Sequence, residues 1–131
     1  MDAKKSKVII VDDSKFSSKM IGEIVLSNES FSISSEFHSA IEALEFVKEN
    51  ENQIDIALID VVMPVMSGIE LAQKISAVSP ETQIIMISSL AGENIIIDSI
   101  TAGAVDYIQK PFSKEKLLSS MMSAVENSRG F

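Results

Sequence analysis

The chain has 131 residues, 46% apolar and 23% charged, which suits one globular domain with a single core spanning residues 1–131. Its 11 Lys and Arg against 19 Asp and Glu give a net charge of -8, so it lacks the clustered cations that phosphate-backbone binding requires, and direct nucleic-acid binding is excluded as an expectation. There is no Cys, which removes disulfides and thiolate metal sites together.

Residues 1–7 are polar and basic, and the apolar run after them, 8–11, is far too short for a signal peptide core or a membrane span. A soluble cytoplasmic chain is expected. The first strand is placed at residues 7–11, apolar on both faces as a parallel strand covered on both sides should be. Asp12 and Asp13 end it, and Ser14 is a candidate N-cap for a helix whose core face is read as Phe16, Met20, Ile21 and Ile24. The run 31–37 partly alternates, which suits an edge strand, and it leads through His38 to a cap at Ser39 and a helix with Ala40, Ile41, Leu44 and Val47 on one face. The sole histidine, His38, reads as a surface or capping residue away from any site.

The third strand, at 56–59, ends on Asp60, and Ser67 caps a helix with Gly68, Leu71, Ala72 and Ile75 inward, stopping at Ser79-Pro80. A fourth strand at 83–87 ends on Ser88 and Ser89. The helix after it is marked by Ile97, Ile100 and Ala104 and stops at Ala102-Gly103; the run Ile95-Ile96-Ile97 cannot all face one sheet, because three successive residues spread about 200° around a helix. The last strand, 105–108, leads to Lys110, and Ser113 caps a helix with Leu117, Met121 and Val125 inward. With Leu118 and Met122 this stripe is wider than one sheet face requires, leaving room for a partner or dimer surface.

Five strand-helix repeats in this order predict a doubly wound α/β fold, (βα)5, with a five-stranded parallel sheet between two helix layers and right-handed crossovers. Ligands in such folds bind at the carboxyl ends of the strands. There the chain places Asp12, Asp13, Asp60, Ser88, Ser89 and Lys110. Carboxylates gathered at one edge repel by about 3 kcal/mol per pair at roughly 5 Å and an effective dielectric near 20, so a cation belongs among them. Oxygen ligands without His or Cys select Mg2+, Mn2+ or Ca2+, and a site of so few carboxylates at a phosphate-handling position suits a water-retaining Mg2+ best, with Mn2+ possible. An Asp beside a divalent ion, a Lys and a hydroxyl is suited to accepting a phosphoryl group, with Asp60 as nucleophile. Taken singly, an Asp after a strand is more often a cap or turn residue, and Lys-Pro a turn.

Val11-Asp12-Asp13-Ser14, Leu58-Ile59-Asp60-Val61-Val62-Met63-Pro64, Met66-Ser67-Gly68, Ile87-Ser88-Ser89 and the stretch from Gly103 through Tyr107 to Lys110-Pro111-Phe112 resemble, in order and spacing, the receiver domain of two-component response regulators. The single-domain chemotaxis-type regulators are the nearest match. The resemblance covers residues 7–127 and implies a flavodoxin-like three-layer receiver fold. By that resemblance Asp13 and Asp60 would ligate the metal directly, with the Val62 carbonyl, and Asp12 would act through water. Ser88 and Lys110 would bond phosphoryl oxygens, helped by the Ser89 amide, and Tyr107 would be the aromatic switch that turns inward as Ser88 moves. The Lys110-Pro111 bond would be cis.

The implied function is a switch, not a turnover enzyme: a sensor histidine kinase or phosphotransfer protein passes a phosphoryl group to Asp60, and the fourth helix, fifth strand and fifth helix bind a downstream protein. The chain would be a monomer or a phosphorylation-dependent dimer. It would act alone or as the front of a longer regulator. Ser replaces the commoner Thr at 88, and Val62 and Leu90 stand where polar residues are frequent and where the hydrolytic water would approach. Two rivals fit less well. An aspartate-nucleophile phosphatase of the haloacid dehalogenase type needs its two acids two residues apart, and a flavin-binding flavodoxin-like module needs a phosphate loop that Asp12-Asp13 would repel.

Overall fold

A computed structural model describes residues 4–128; residues 1–3 of the polar start and 129–131 lie outside the described part. Its elements are β1 (Ser6–Val11), α1 (Lys15–Leu26), β2 (Phe31–Phe37), α2 (Ala40–Glu49), β3 (Ile56–Asp60), α3 (Gly68–Val78), β4 (Gln83–Ser88), α4 (Glu93–Thr101), β5 (Ala104–Gln109) and α5 (Lys114–Ser128). The strands form one parallel sheet in the order β2-β1-β3-β4-β5, so β2 is at an edge as its alternation suggested. Side chains alternate across each strand: Ile9, Val11, Ala57 and Ile59 enter a core under α2 and α3, while Val8, Ile10, Ile56 and Leu58 enter a second under α1 and α5. All four expected serine caps are made: Ser14 accepts from the Ser17 amide, Ser39 from Glu42, Ser67 from Glu70 and Ser113 from Lys116.

The buried faces of α3 (Gly68, Leu71, Ala72, Ile75) and of α5 (including Leu117, Met121 and Val125) are as the periodicity predicts. Two other helices are turned differently. In α1 the buried residues are Ser18, Ile21, Gly22 and Val25, while Phe16 is 75% and Met20 50% exposed. The sheet-facing stripe is rotated by about a third of a turn from the expected one. Small residues explain it: a Cβ on Gly22 would already lie 3.5 Å from Ile33 Cδ1 and 3.8 Å from Ile10 Cδ1, so α1 seats close to the sheet along its Ser18-Gly22 side. In α4 only Ser99 is buried and Ile95 partly so, whereas Ile96, Ile97 and Ile100 are all exposed, and Ala104 opens β5 instead of closing the helix. The Ser99 hydroxyl donates to the Ile95 carbonyl 2.8 Å away, keeping the helix's inner side narrow. In α2, Ala43 takes the inward place expected of Ile41, which is exposed.

Two irregularities set the register. Between β1 and β2 the pairing shifts after Val8↔Ile33 to Ile9↔Ser35, leaving Ser34 as the extra residue and aligning Val11 with Phe37. Between β4 and β5 it shifts after Ile84↔Ala104 to Ile85↔Asp106, so Val105 is the extra residue and is exposed.

Candidate phosphoacceptor site

Apolar strands end in polar residues at one edge of the sheet, so parallel pairing alone gathers the acids. Oxygen atoms of Asp12, Asp13 and Asp60 all lie within 4.8 Å of one another. Asp12 is buried, Asp60 half-buried and Asp13 exposed. Lys110 Nζ stands 3.1 Å from Asp12 Oδ2 and 3.5 Å from Asp60 Oδ2, linking the ends of β1, β3 and β5. The Ser14 amide donates to Asp12 Oδ1 at 2.9 Å and the Val62 amide to Asp60 Oδ1 at 3.3 Å. Asp13 accepts no hydrogen bond among the described residues.

Burial pushes the Asp60 carboxyl above its ordinary value; the Lys110 charge opposes this, the Asp12 charge adds to it, and the Val62 amide lowers it again. One lysine leaves this three-carboxylate cluster short of positive charge. A divalent cation fits: the donors are all hard oxygens, close enough to share one ion, and its charge would relieve the burial cost at Asp60.

Ser88 is fully buried at the end of β4, its Oγ accepting from the Leu90 amide at 3.2 Å. The Ser88 carbonyl accepts from the Lys110 amide at 2.8 Å, which holds the lysine's backbone beside β4. Ser89 is exposed. Half-buried Tyr107 donates its hydroxyl to the Leu90 carbonyl at 2.6 Å. The Lys110-Pro111 peptide is cis, as expected. Val62 (54% exposed) and Leu90 (37% exposed) lie in the loops after β3 and β4. An apolar groove lined by Phe16, Met20, Ile21, Pro111 and Phe112 also includes Ser89 and Lys110.

Three features escaped the sequence reading. His38 is on the surface, but not away from the site: its Nδ1 lies 2.9 Å from the Asp12 carbonyl oxygen. Its position directly after a strand was the available signal. Gly68 read as a core-facing residue and part of a motif, with no sign of its steric role, yet a Cβ there would lie 2.0 Å from the Asp60 carbonyl oxygen. Val65, within the Met63-to-Gly68 loop, adopts φ 71 with its side chain 91% exposed, a left-handed conformation that costs a β-branched residue about 1–2 kcal/mol.

Comparison with known proteins agrees with the fold and the motifs. The response regulator receiver domain family matches residues 8–122, and the chain belongs to that family. The chemotaxis protein CheY of Listeria monocytogenes is 34% identical over 120 residues, covering 92% of this chain and 98% of that protein. A chain of the crystal structure of the CheX-CheY-BeF3-Mg2+ complex from Borrelia burgdorferi is 36% identical with a TM-score of 0.84, covering 90% of this chain and 87% of that one. The chain is also similar to part of an enzyme: a protein-glutamate methylesterase/protein-glutamine glutaminase of Bacillus licheniformis is 36% identical over 107 residues, which is 80% of this chain but 29% of that longer protein.

Proposed function

We propose that this chain is a phosphoacceptor switch of the chemotaxis type, taking a phosphoryl group onto Asp60 from the phosphohistidine of a sensor histidine kinase or phosphotransfer protein. The observation that carries the reading is Lys110 Nζ standing between Asp12 and Asp60 within a cluster of three acids. An Asp60 oxygen forms the new bond to phosphorus as the donor's P–N bond breaks, and the departing imidazole keeps the electron pair and takes up a proton. Asp13, Asp60 and the Val62 carbonyl would hold Mg2+, or Mn2+ in its place, with Asp12 acting through water. The ion supplies charge stabilisation to the transferring oxygens. Lys110 pairs with one phosphoryl oxygen, and the Ser88 hydroxyl donates to another, helped by the Ser89 amide.

The apolar groove of Phe16, Met20, Pro111 and Phe112 beside Lys110 suits the phosphodonor. The α4-β5-α5 face carries the output: Ile96, Ile97, Ile100, Val105 and Met122 are exposed there, and Tyr107 links the face to the site. Exposed apolar side chains grouped in this way favour a protein partner or a second, phosphorylated copy over DNA, which the charge of -8 would repel. No helix among the described residues is long and apolar enough to cross a membrane, and the chain works in the cytoplasm, promoting only its own phosphorylation and dephosphorylation.

Acetyl phosphate with Mg2+ should add one phosphoryl group, seen by intact mass as an acid-labile species. That species should vanish in Asp60→Asn. Its persistence at wild-type level in the variant would overturn the assignment.

A further inference from the structure

We infer that His38 is a positioning residue for the metal site, acting through the Asp12 carbonyl. This rests on the reading of Asp13 as a direct metal ligand. A carbonyl oxygen can only accept, so at 2.9 Å the His38 ring donates its Nδ1 hydrogen to Asp12. That carbonyl belongs to the peptide joining Asp12 to Asp13. On the other side of the same residue, the Asp12 amide donates to the Phe37 carbonyl at 3.0 Å. Phe37 and His38 therefore grip Asp12 at both its amide and its carbonyl.

Asp13 depends on this grip more than its neighbours do. Asp12 is fixed by Lys110 and Ser14, and Asp60 by Lys110 and Val62, whereas Asp13 accepts no hydrogen bond among the described residues. Its carboxylate is aimed by the backbone alone, and the tilt of the preceding peptide sets that aim. The irregularity in β2 makes the contact available: with Ser34 as the extra residue Val11 pairs with Phe37, so Asp12 is level with His38. In unbroken register from Val8↔Ile33, Asp12 would be level with Phe37 and the imidazole would miss the peptide. His38 is exposed, so truncating it opens no cavity in the core.

Hydrogen-bond partners behind a metal ligand typically govern about 10- to 100-fold of affinity. His38→Ala should weaken Mn2+ binding to the metal-free full chain about 10-fold, read by calorimetric titration with every variant in the same buffer. His38→Asn should restore most of that loss, because the Asn side-chain nitrogen occupies the place of Nδ1. Melting of metal-free His38→Ala should stay within about 2 °C of wild type, as for a surface residue.

Asp13→Ala is the internal reference. If the wild type binds no Mn2+, or Asp13→Ala binds as tightly as wild type, the metal-site reading itself fails. If Asp13→Ala is weak while His38→Ala equals wild type, the role of His38 is overturned and the site stands. Equal loss in His38→Ala and His38→Asn would also overturn it, since the donated hydrogen bond would not be the cause. So would a large fall in metal-free melting, which would make the residue merely structural.

Discussion

Gly68→Ala would place a methyl carbon 2.0 Å from the Asp60 carbonyl oxygen, 2.8 Å from its carbonyl carbon and 2.9 Å from Val61 Cα. Ordinary C···O approaches are no closer than roughly 3.3 Å, so more than about 1 Å must be found. All three obstacles are backbone atoms, and no rotamer change can supply it. If α3 retreats, the Gly68 amide loses its 2.8 Å bond to the Val61 carbonyl, about 1 kcal/mol, in addition to an overpacking cost of about 1–3 kcal/mol. If β3 yields instead, Asp60 moves, and misplacement by about 1 Å typically slows a positioned reaction about 100-fold. Gly68→Ala is thus expected to lose about 2–4 kcal/mol in urea unfolding, to phosphorylate far more slowly with acetyl phosphate, or both. Gly22→Ala is the contrasting control, because its nearest neighbour would be a flexible Ile33 Cδ1 at 3.5 Å and a mid-helix alanine gains up to about 1 kcal/mol. A Gly68→Ala protein with wild-type unfolding midpoint and wild-type phosphorylation would refute the steric reasoning.

Burial, partly opposed by Lys110, holds the Asp60 carboxyl above 3.8 in the native state, so the native chain keeps that proton to higher pH than the unfolded chain and ionisation costs it stability at neutral pH. Asp60→Asn should therefore raise the melting temperature of the metal-free protein at about pH 7, with the advantage fading as pH falls through the folded value toward 3.8; an equal gain at both ends of that range would contradict the origin assigned to it. Val65→Asn keeps the left-handed backbone at lower cost and should gain about 1 kcal/mol in chemical denaturation; a loss of stability would show that the valine is not strained. Exposed Val62 and Leu90 cannot orient a hydrolytic water, so Val62→Asn with Leu90→Glu should speed decay of phospho-Asp60 by about 10-fold, equivalent to about 1.4 kcal/mol of barrier. Unchanged decay after donor removal would mean the lifetime is set elsewhere.

The parallel strand-helix alternation, the serine caps and the gathering of polar residues at the strand ends were legible because each rests on a short-range rule. A strand apolar on both faces is buried, a serine before an apolar period caps a helix, and the residue after a parallel strand lies at the ligand edge. Asp12, Asp60, Ser88 and Lys110 follow from that last rule, and the structure brings them together. The inward faces of α1 and α4 were not legible, because periodicity finds apolar residues without saying whether the sheet or a partner covers them. Small residues decided the seating: Ser18 and Gly22 admit α1 to the sheet and leave Phe16 and Met20 outside, while Ser99 does the same for α4. The contact between His38 and Asp12 was hidden for another reason. It depends on one extra residue, Ser34, in a strand pairing whose register no local pattern announces.

Leu90 stands between two hydroxyls, its amide donating to Ser88 Oγ and its carbonyl accepting from the Tyr107 hydroxyl. Because Ser88 Oγ accepts here, its own hydrogen is free to turn toward an oxygen in the acidic pocket. Any protein that grips Tyr107 and prefers one placement of this loop also acts on Ser88, and thermodynamic linkage makes the effect reciprocal: the factor by which phosphorylation tightens such a partner is the factor by which the partner favours phosphorylation. On the proposed function, the level of phosphorylated chain in a cell would then depend on how much target is present as well as on the phosphodonor. Titrating the target should shift the phosphorylation equilibrium without any change in the donor.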